Sequence, residues 1–471
     1  MPKLEGSQGI MKDVSEGVIQ GVKYNLCPEN SVELMLNMTA DDEIGEAVVR
    51  RGSIILGTQI AGANPVLGMY DFISDLGTTN VLQAAINGSI YYWNGAIWQV
   101  GHAGDNASAS VEFETFLDEV VRVNGVDSPL ASADGITWGN STALATSSMP
   151  HGKYVKVYKD QMVTAGVSTS PDTLYISSVP SSGRISWTVD DREIVVNPED
   201  GQNITGFGEV GGLLIVFKDR AMYRWNNRST EPDTVVEIGC NSQKSIVNCG
   251  SALAFFNEKG FWLTSGEQPV KISRKIQKWI DGRTSTFKVA CYGNEDYLYG
   301  SLGSCTVDGV SYTNIVVRYS MLSKEWVIYK YPYEVRAFTR FIDSTDKVVA
   351  GTSLSKVEWI ENSAVYDDDG TAIGFEIQTH DIDFGSRGLI KQISERAMAY
   401  CKKPFGTIIQ VQRDGGQWIN LGVMNKEVEN FLIKEGIQGH YFRFRAIGIS
   451  SNRTRFQGIE LPNVSIMGYD K

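Results

Sequence analysis

Four arginines near the C-terminus are the sharpest local concentration of charge in this sequence. Arg443 and Arg445 stand two residues apart, which places both on one face of a β-strand. Arg453 and Arg455 repeat that spacing on the next strand. Against a formal net charge of −12, the four form a small basic stripe with Phe442, Phe444 and Phe456 on or near it. A guanidinium fork pairs a carboxylate bidentately. The stripe therefore reads either as a solvated face or as an interface with an acidic partner or a neighbouring subunit.

No other constellation assembles into a reaction centre. Glycoside hydrolysis needs two carboxylates about 5–10 Å apart, and with 55 acidic residues spacing alone nominates none. Ser132-Ala133-Asp134-Gly135-Ile136-Thr137-Trp138 resembles the Asp-box of sialidases but is one residue short between Asp and Gly, so Asp134-Gly135 reads as a tight turn before a strand. The acidic runs Asp190-Asp191 and Asp367-Asp368-Asp369 read as solvated turns, and the second lacks the alternating spacing of a calcium loop. His102, His151, His380 and His440 are not within metal-ligand spacing of another His or a Cys. Gly206-Phe207-Gly208-Glu209-Val210-Gly211 matches G-x-G-x-x-G by letter, yet it precedes a strand where a dinucleotide site needs a helix. No metal, cofactor or catalytic residue is predicted.

Composition limits the classes further. The chain has 471 residues, of which 42% are hydrophobic, enough for large buried cores. Glycine is frequent (48) and proline sparse (13), the balance of a turn-rich β protein. The acidic balance argues against a dedicated nucleic-acid binder, although an acidic wall suits a conduit past which DNA slides. Cys27, Cys240, Cys249, Cys291, Cys305 and Cys401 contain no C-x-x-C pair and read as free, mostly buried thiols. The start, Met1–Gly6, has no apolar signal core, and no run approaches the ~20 apolar residues of a membrane span.

The elements that must position these residues are short strands. Apolar runs joined by tight polar turns recur from Arg51 to Glu361 at intervals of roughly 35–60 residues, a range that overlaps the period of a four-stranded propeller blade. Val81–Ile86, Asn87-Gly88, Ser89–Trp93 is one unit; Leu213–Phe217, Lys218-Asp219, Ala221–Trp225 is another. Leu213–Phe217 is apolar on both faces, as expected of a sheet covered on each side. Ala221–Trp225 reads as a more polar outer strand. Ten tryptophans offer either a glycan-stacking surface or packing between blades, and Trp225, Trp262, Trp326 and Trp359 favour packing by recurring at strand ends.

The predicted fold is all-β: an N-terminal arm (1–50), a six- or seven-bladed propeller (51–366) and a C-terminal β-sandwich (367–471), with Asp367–Gly370 at the boundary. The arm reads as a flexible lead-in or as a strap that packs on a neighbour or closes the propeller ring. One turn of helix fits Ser31–Met38, and acids cluster at Asp41, Asp42, Glu43 and Glu46.

In order and spacing, several stretches resemble the tail hub or nozzle proteins of short-tailed phages, including the packaged-DNA stabilisation (tail accessory) group. They are Cys27–Ser31 through Met38, Val48–Ser53, Gly68–Phe72 with Gly77-Thr78, Phe207–Trp225, Phe255–Ile276 and His380–Gly388. The resemblance implies a virion protein assembled in the host cytoplasm. It would form a ring of about six copies below portal and adaptor, holding packaged DNA until ejection and meeting needle or fibre proteins. The DNA would pass without sequence readout and this chain would not insert into a membrane. It implies no catalytic residue and no cofactor. The alternative is a glycan-binding propeller adhesin, and a propeller hydrolase is the third class considered.

Overall fold

The computed structural model describes residues 8–22, 26–40, 45–74, 77, 80–188, 192–227, 232–385, 387–404 and 406–468. The segment Met1–Gly6, the acids Asp41, Asp42 and Glu43, and the pair Asp190-Asp191 lie outside them. The chain is nearly all β and propeller-like; the α-helix among the described residues is the five-residue Gln277–Asp281.

Among the described residues, seven antiparallel sheets follow one another between Gly52 and Asn362, the sixth and seventh being linked through Leu34–Leu36, Thr371–Gln378 and Asp367–Asp368 into one larger sheet. Their first strands are Val66–Ile73, Glu112–Phe116, Tyr154–Tyr158, Ile204–Val210, Val247–Cys249, Cys291–Gly293 and Val335–Ile342. Each first strand packs beside the next, and the last returns to the first, closing a cycle about one axis. Local chemistry makes the hairpins: Asn87 (φ 48°) and Gly88 (φ 74°) both take positive φ, the primed turn whose twist matches its flanking strands.

The cycle is closed from the N-terminal side. The last sheet is Val335–Ile342, Asp346–Thr352 and Val357–Asn362, and its outer strand is Gly52–Ile55, which pairs antiparallel with Val357–Asn362. Leu214, Ile215, Val216 and Phe217 are fully buried, because neighbouring sheets cover both faces of their strand. Aromatic rings bridge the sheets: Tyr158 meets Trp225 with centroids 5.8 Å apart, Phe217 meets Phe255 at 4.7 Å and Phe261 meets Trp326 at 5.3 Å.

Two expectations need correction here. Met222–Trp225 is not an outer strand: Met222, Tyr223 and Trp225 are buried, and the more exposed Asp233–Val236 lies outside it. Its polar letters misled because the Tyr223 hydroxyl is satisfied inside by Asp200 Oδ2, 2.7 Å away. Ser31–Met38 holds the strand Leu34–Leu36 and no helical turn. Its Leu-Met-Leu run is buried because it pairs with Thr371–Gln378, and sheet pairing overrode helix propensity.

The C-terminal strands form two packed sheets. One contains Thr371–Gln378, Phe442–Ser450, Thr407–Arg413 and Trp418–Met424; the other contains Ile390–Lys402, Val428–Gly439, Arg455–Leu461 and Val464–Gly468. Described strands among residues 8–50 are woven into both. Gln8–Ile10 and Ala47–Val49 pair with Arg455–Leu461, while Leu34–Leu36 joins Thr371–Gln378. Leu36 also bridges Ile328 of the sixth sheet in the cycle. One apolar core consequently runs from Met35 and Met38 through Phe375, Phe442 and Phe444 to Trp326 and Ile328.

Candidate functional site

Strand alternation places the first two predicted arginines on one face, as the spacing requires: Phe442, Phe444 and Ala446 point into the sandwich, and Arg443 and Arg445 point away. Both arginines have partners within the chain. Arg443 Nε donates to Asp381 Oδ1 at 2.5 Å, and its Nη1 lies 3.4 Å from Glu33 Oε2. Arg445 Nε donates to Gln410 Oε1 at 2.6 Å, its Nη1 lies 3.3 Å from Glu376, and its guanidinium stacks on Trp418 at 4.2 Å. Arg455 opens a strand of the opposite sheet and Arg453 sits in the turn before it, both half-buried. The four arginines thus divide between two sheets and do not form one stripe. Phe456 is buried as well, since it shares the inward set of its own strand.

Arg443 borders a small cavity of about 220 Å³ shared with Gln20, Glu33, Lys278, His380 and Asp381. The fold brings Cys27 Sγ to 3.8 Å from His380 Nδ1, a pair separated by 353 residues that spacing cannot find. Their electrostatics do not suit a nucleophile. Burial, with Glu33 nearby, raises the Cys27 thiol, while burial and Arg443 push His380 down to about 4. A thiolate–imidazolium pair needs both shifts reversed.

The Asp-box-like run makes a turn. Asp134 Oδ1 accepts from Ser132 Oγ and from the Ile136 and Thr137 amides at 2.7–2.8 Å. Burial works against ionisation there, and these hydrogen bonds outweigh it to hold the carboxyl below its ordinary value. Gln83 Nε2 donates to the Gly135 carbonyl at 2.8 Å, so the turn ties the second sheet to the first.

Asp367-Asp368-Asp369 is not wholly a solvated turn. Asp368 is buried and accepts Arg50 Nη1 at 2.8 Å and Nη2 at 2.5 Å. Arg50 Nε donates to Asn37 Oδ1 at 3.0 Å, and its remaining N–H groups reach the carbonyls of Arg51 and Lys330 at 3.0 and 3.1 Å. All five donors of the guanidinium are thereby used, and the Tyr331 ring lies 4.1 Å from its centre. Burial works against its charge; Tyr331 and Asp368 outweigh burial and hold it above its ordinary range. Only two adjacent letters, Arg50-Arg51, marked this hub in the sequence.

The sequence gives no sign of one cation cluster that the fold assembles in a cavity. At one end of the cycle of sheets, Lys153, Lys244, Lys288 and Arg336 line a cavity of about 440 Å³ with Glu112 and Tyr154. No spacing rule collects them, because each comes from a different sheet or connection. Among the described residues, no group of three or more His, Cys, Asp or Glu is arranged to hold a metal ion. All six cysteines are free and five are buried. No helix among the described residues is long and apolar enough to cross a membrane.

No protein-family description and no characterised protein matches the sequence. Among solved structures, the chain is similar to PorZ, an essential bacterial surface component of the type-IX secretion system of Porphyromonas gingivalis. That match has 11% identity over 78% of this chain and a TM-score of 0.40, and the chain spans only 46% of PorZ. It is also similar to Saccharomyces cerevisiae Sqt1 (8% identity, 66% of this chain, 99% of that one, TM-score 0.41). An ancestral GH74 enzyme matches at 9% identity over 77% of this chain and 54% of its own, with a TM-score of 0.40. None reaches a TM-score of 0.5, and the fold description rests on strand pairing alone.

Proposed function

We propose that this chain is a structural ring subunit of a short-tailed phage tail: a seven-bladed propeller with an attached sandwich, acting as hub or nozzle in the virion. The supporting observation is that Gln8–Ile10, Leu34–Leu36 and Ala47–Val49 pair with both sandwich sheets and Gly52–Ile55 then supplies the outer strand of the seventh propeller sheet. Such threading makes one stiff body from two units, as a building block under the pressure of packaged DNA requires. About six copies would close a ring through contacts between different patches of adjacent copies. The ring would meet the tail adaptor on one side and a needle or fibre on the other. The chain's net charge of −12 suits a lumen past which DNA slides without readout.

The test is negative-stain microscopy and native mass spectrometry of the full chain, alone and with adaptor-type tail partners. Rings with rotational symmetry are expected; a persistent monomer under all assembly conditions would overturn the reading. A second reading, a glycan-binding adhesin, has one observation in its favour. A cavity of about 980 Å³ between the fourth and fifth sheets is lined by Trp262, Tyr223, Asn197, Asn257, Asp219 and Glu258. Against it, Trp225 and Trp326 are buried between sheets and offer no face to a sugar. Glycan-array binding lost on Trp262→Ala would favour the adhesin.

A further inference from the structure

The cavity at this end of the cycle of sheets gathers positive charge on an acidic chain. It is bounded by residues at or just ahead of the first strands of the sheets: Glu112, Lys153, Tyr154, Lys244, Lys288 and Arg336. Among its described lining residues, four cations face one carboxyl group. A smaller cavity of about 160 Å³ continues inward and shares Glu112 and Lys244.

These cations are poorly neutralised. Lys153 and Lys288 are exposed and, among the described residues, neither makes an ion pair. Lys244 Nζ donates to the Leu67 carbonyl at 2.5 Å, a neutral acceptor. Arg336 pairs with Glu334 at 2.6 Å, and its guanidinium is braced over the Phe287 ring at 4.1 Å. Glu112 makes no ion pair within 4 Å among the described residues, so it opposes the cations only at longer range. Low-dielectric walls concentrate the field of such a cluster. Burial holds Lys244 below the ordinary lysine range, a penalty that an incoming anion relieves, and burial also raises the carboxyl of Glu112, which weakens the one negative charge opposing that anion.

We propose that this cavity binds a small polyanion, a molecule carrying two or more phosphate or carboxylate groups. The volume lies within the range of small-ligand sites. The division of labour is plain: the braced Arg336 fork presents a fixed planar donor, and Lys153 and Lys288 close on the ligand from the rim as mobile point charges. The inner Lys244 sets the depth to which one anionic group enters. This site does not depend on ring assembly, and it borders the cavity between the fourth and fifth sheets, with which it shares Asn241 and Lys288.

The experiment is isothermal titration of the full chain at low ionic strength with pyrophosphate and, separately, with citrate, using chloride at matched ionic strength as control. Saturable binding of one of the two, in a single stoichiometric step, is expected. The stronger of the two names the source, phosphate or carboxylate. The double variant Lys153→Ala/Lys288→Ala should weaken it by about tenfold or more. Both side chains are exposed, so this variant should keep the parental melting temperature. In parallel, lysine acetylation read by mass spectrometry on the unaltered protein should show Lys153 and Lys288 protected by the bound anion. No saturable heat with either probe, equal binding by the variant, or unprotected lysines would each overturn the proposal.

Discussion

The guanidinium of Arg50 and the carboxylate of Asp368, 318 residues apart in sequence, face each other at 2.8 and 2.5 Å where the cycle of sheets meets the C-terminal sheets. Both side chains are almost wholly enclosed, at 0% and 5% exposure. Arg50 links the sandwich strand Ala47–Val49 to the closing strand Gly52–Ile55, and Asp368 lies on the short strand beside it. The pair therefore fixes where one unit ends and the other begins.

Breaking that pair should be costly. Asp368→Asn leaves Arg50 buried without its counter-charge and should lose about 3–5 kcal/mol of stability. Replacing both residues, as Arg50→Met with Asp368→Leu, should recover much of the loss, because buried ion pairs rarely exceed a well-packed apolar substitute. Urea denaturation of the two variants measures the difference. A D368N protein as stable as the parent would refute the assignment.

Glu358 should make stability fall as pH rises. Its two carboxylate oxygens are buried and, among the described residues, have no hydrogen-bond partner. Burial, aided by Asp369, pushes its pKa up from 4.5 to about 7. Between those values the folded state holds the proton that the unfolded state has released, so stability declines with pH across that window and is level above it. The full effect is of order 3 kcal/mol. His380, held down at about 4, acts oppositely between 4 and its ordinary 6.5, so the comparison must be differential. Glu358→Gln should be stabilised relative to the parent at pH 8 and match it near pH 4.5; an equal gain at both would exclude titration as the cause.

Ring closure can be attacked at one backbone position. A Cβ at Gly52 would run into the backbone carbonyl of Asp367. Gly52→Val should push Gly52–Ile55 off Val357–Asn362, remove the outer strand of the seventh sheet and lower the melting temperature by several degrees. Limited proteolysis should then cut between Arg51 and Leu56. Resistance equal to that of the parent would mean that this strand does not hold the cycle shut.

Assembly, under the proposed function, should depend on apolar side chains left outside. Leu432 and Ile449 are 70% and 68% exposed, and Val428 is half-exposed nearby in sequence on the same strand as Leu432. Trp418–Met424, paired on one side only among the described residues, offers a strand edge on the same unit. Leu432→Glu with Ile449→Glu should abolish rings while leaving the melting temperature within about 2 °C, since neither residue packs in the core. Rings that persist in this variant would move the contact elsewhere on the chain.

Much of the strand and turn order was legible because it is local chemistry. Asn87-Gly88 announces its hairpin through the two positive φ values it tolerates, and Leu214–Phe217 announces a doubly covered strand through apolar letters on both faces. Met222–Trp225 was misread because Tyr223 and Arg224 look polar wherever they lie, and only Asp200 on another element shows that the hydroxyl is satisfied inside. The arginine spacing correctly put Arg443 and Arg445 on one face, yet could not say that Arg455 belongs to the opposite sheet.

Period-two alternation and turn dihedrals depend on neighbours within a few residues, so the chain's letters alone determine an all-β ribbon rich in primed turns. Partner choice is a different kind of quantity. Any of 55 carboxyl groups satisfies an arginine equally well on paper; the pairing of Arg50 with Asp368, the closing role of Gly52–Ile55 and the convergence of Lys153, Lys244, Lys288 and Arg336 exist only once distant strands are packed. Those contacts are decided by the collective burial of the whole cycle, which no local window of the sequence contains.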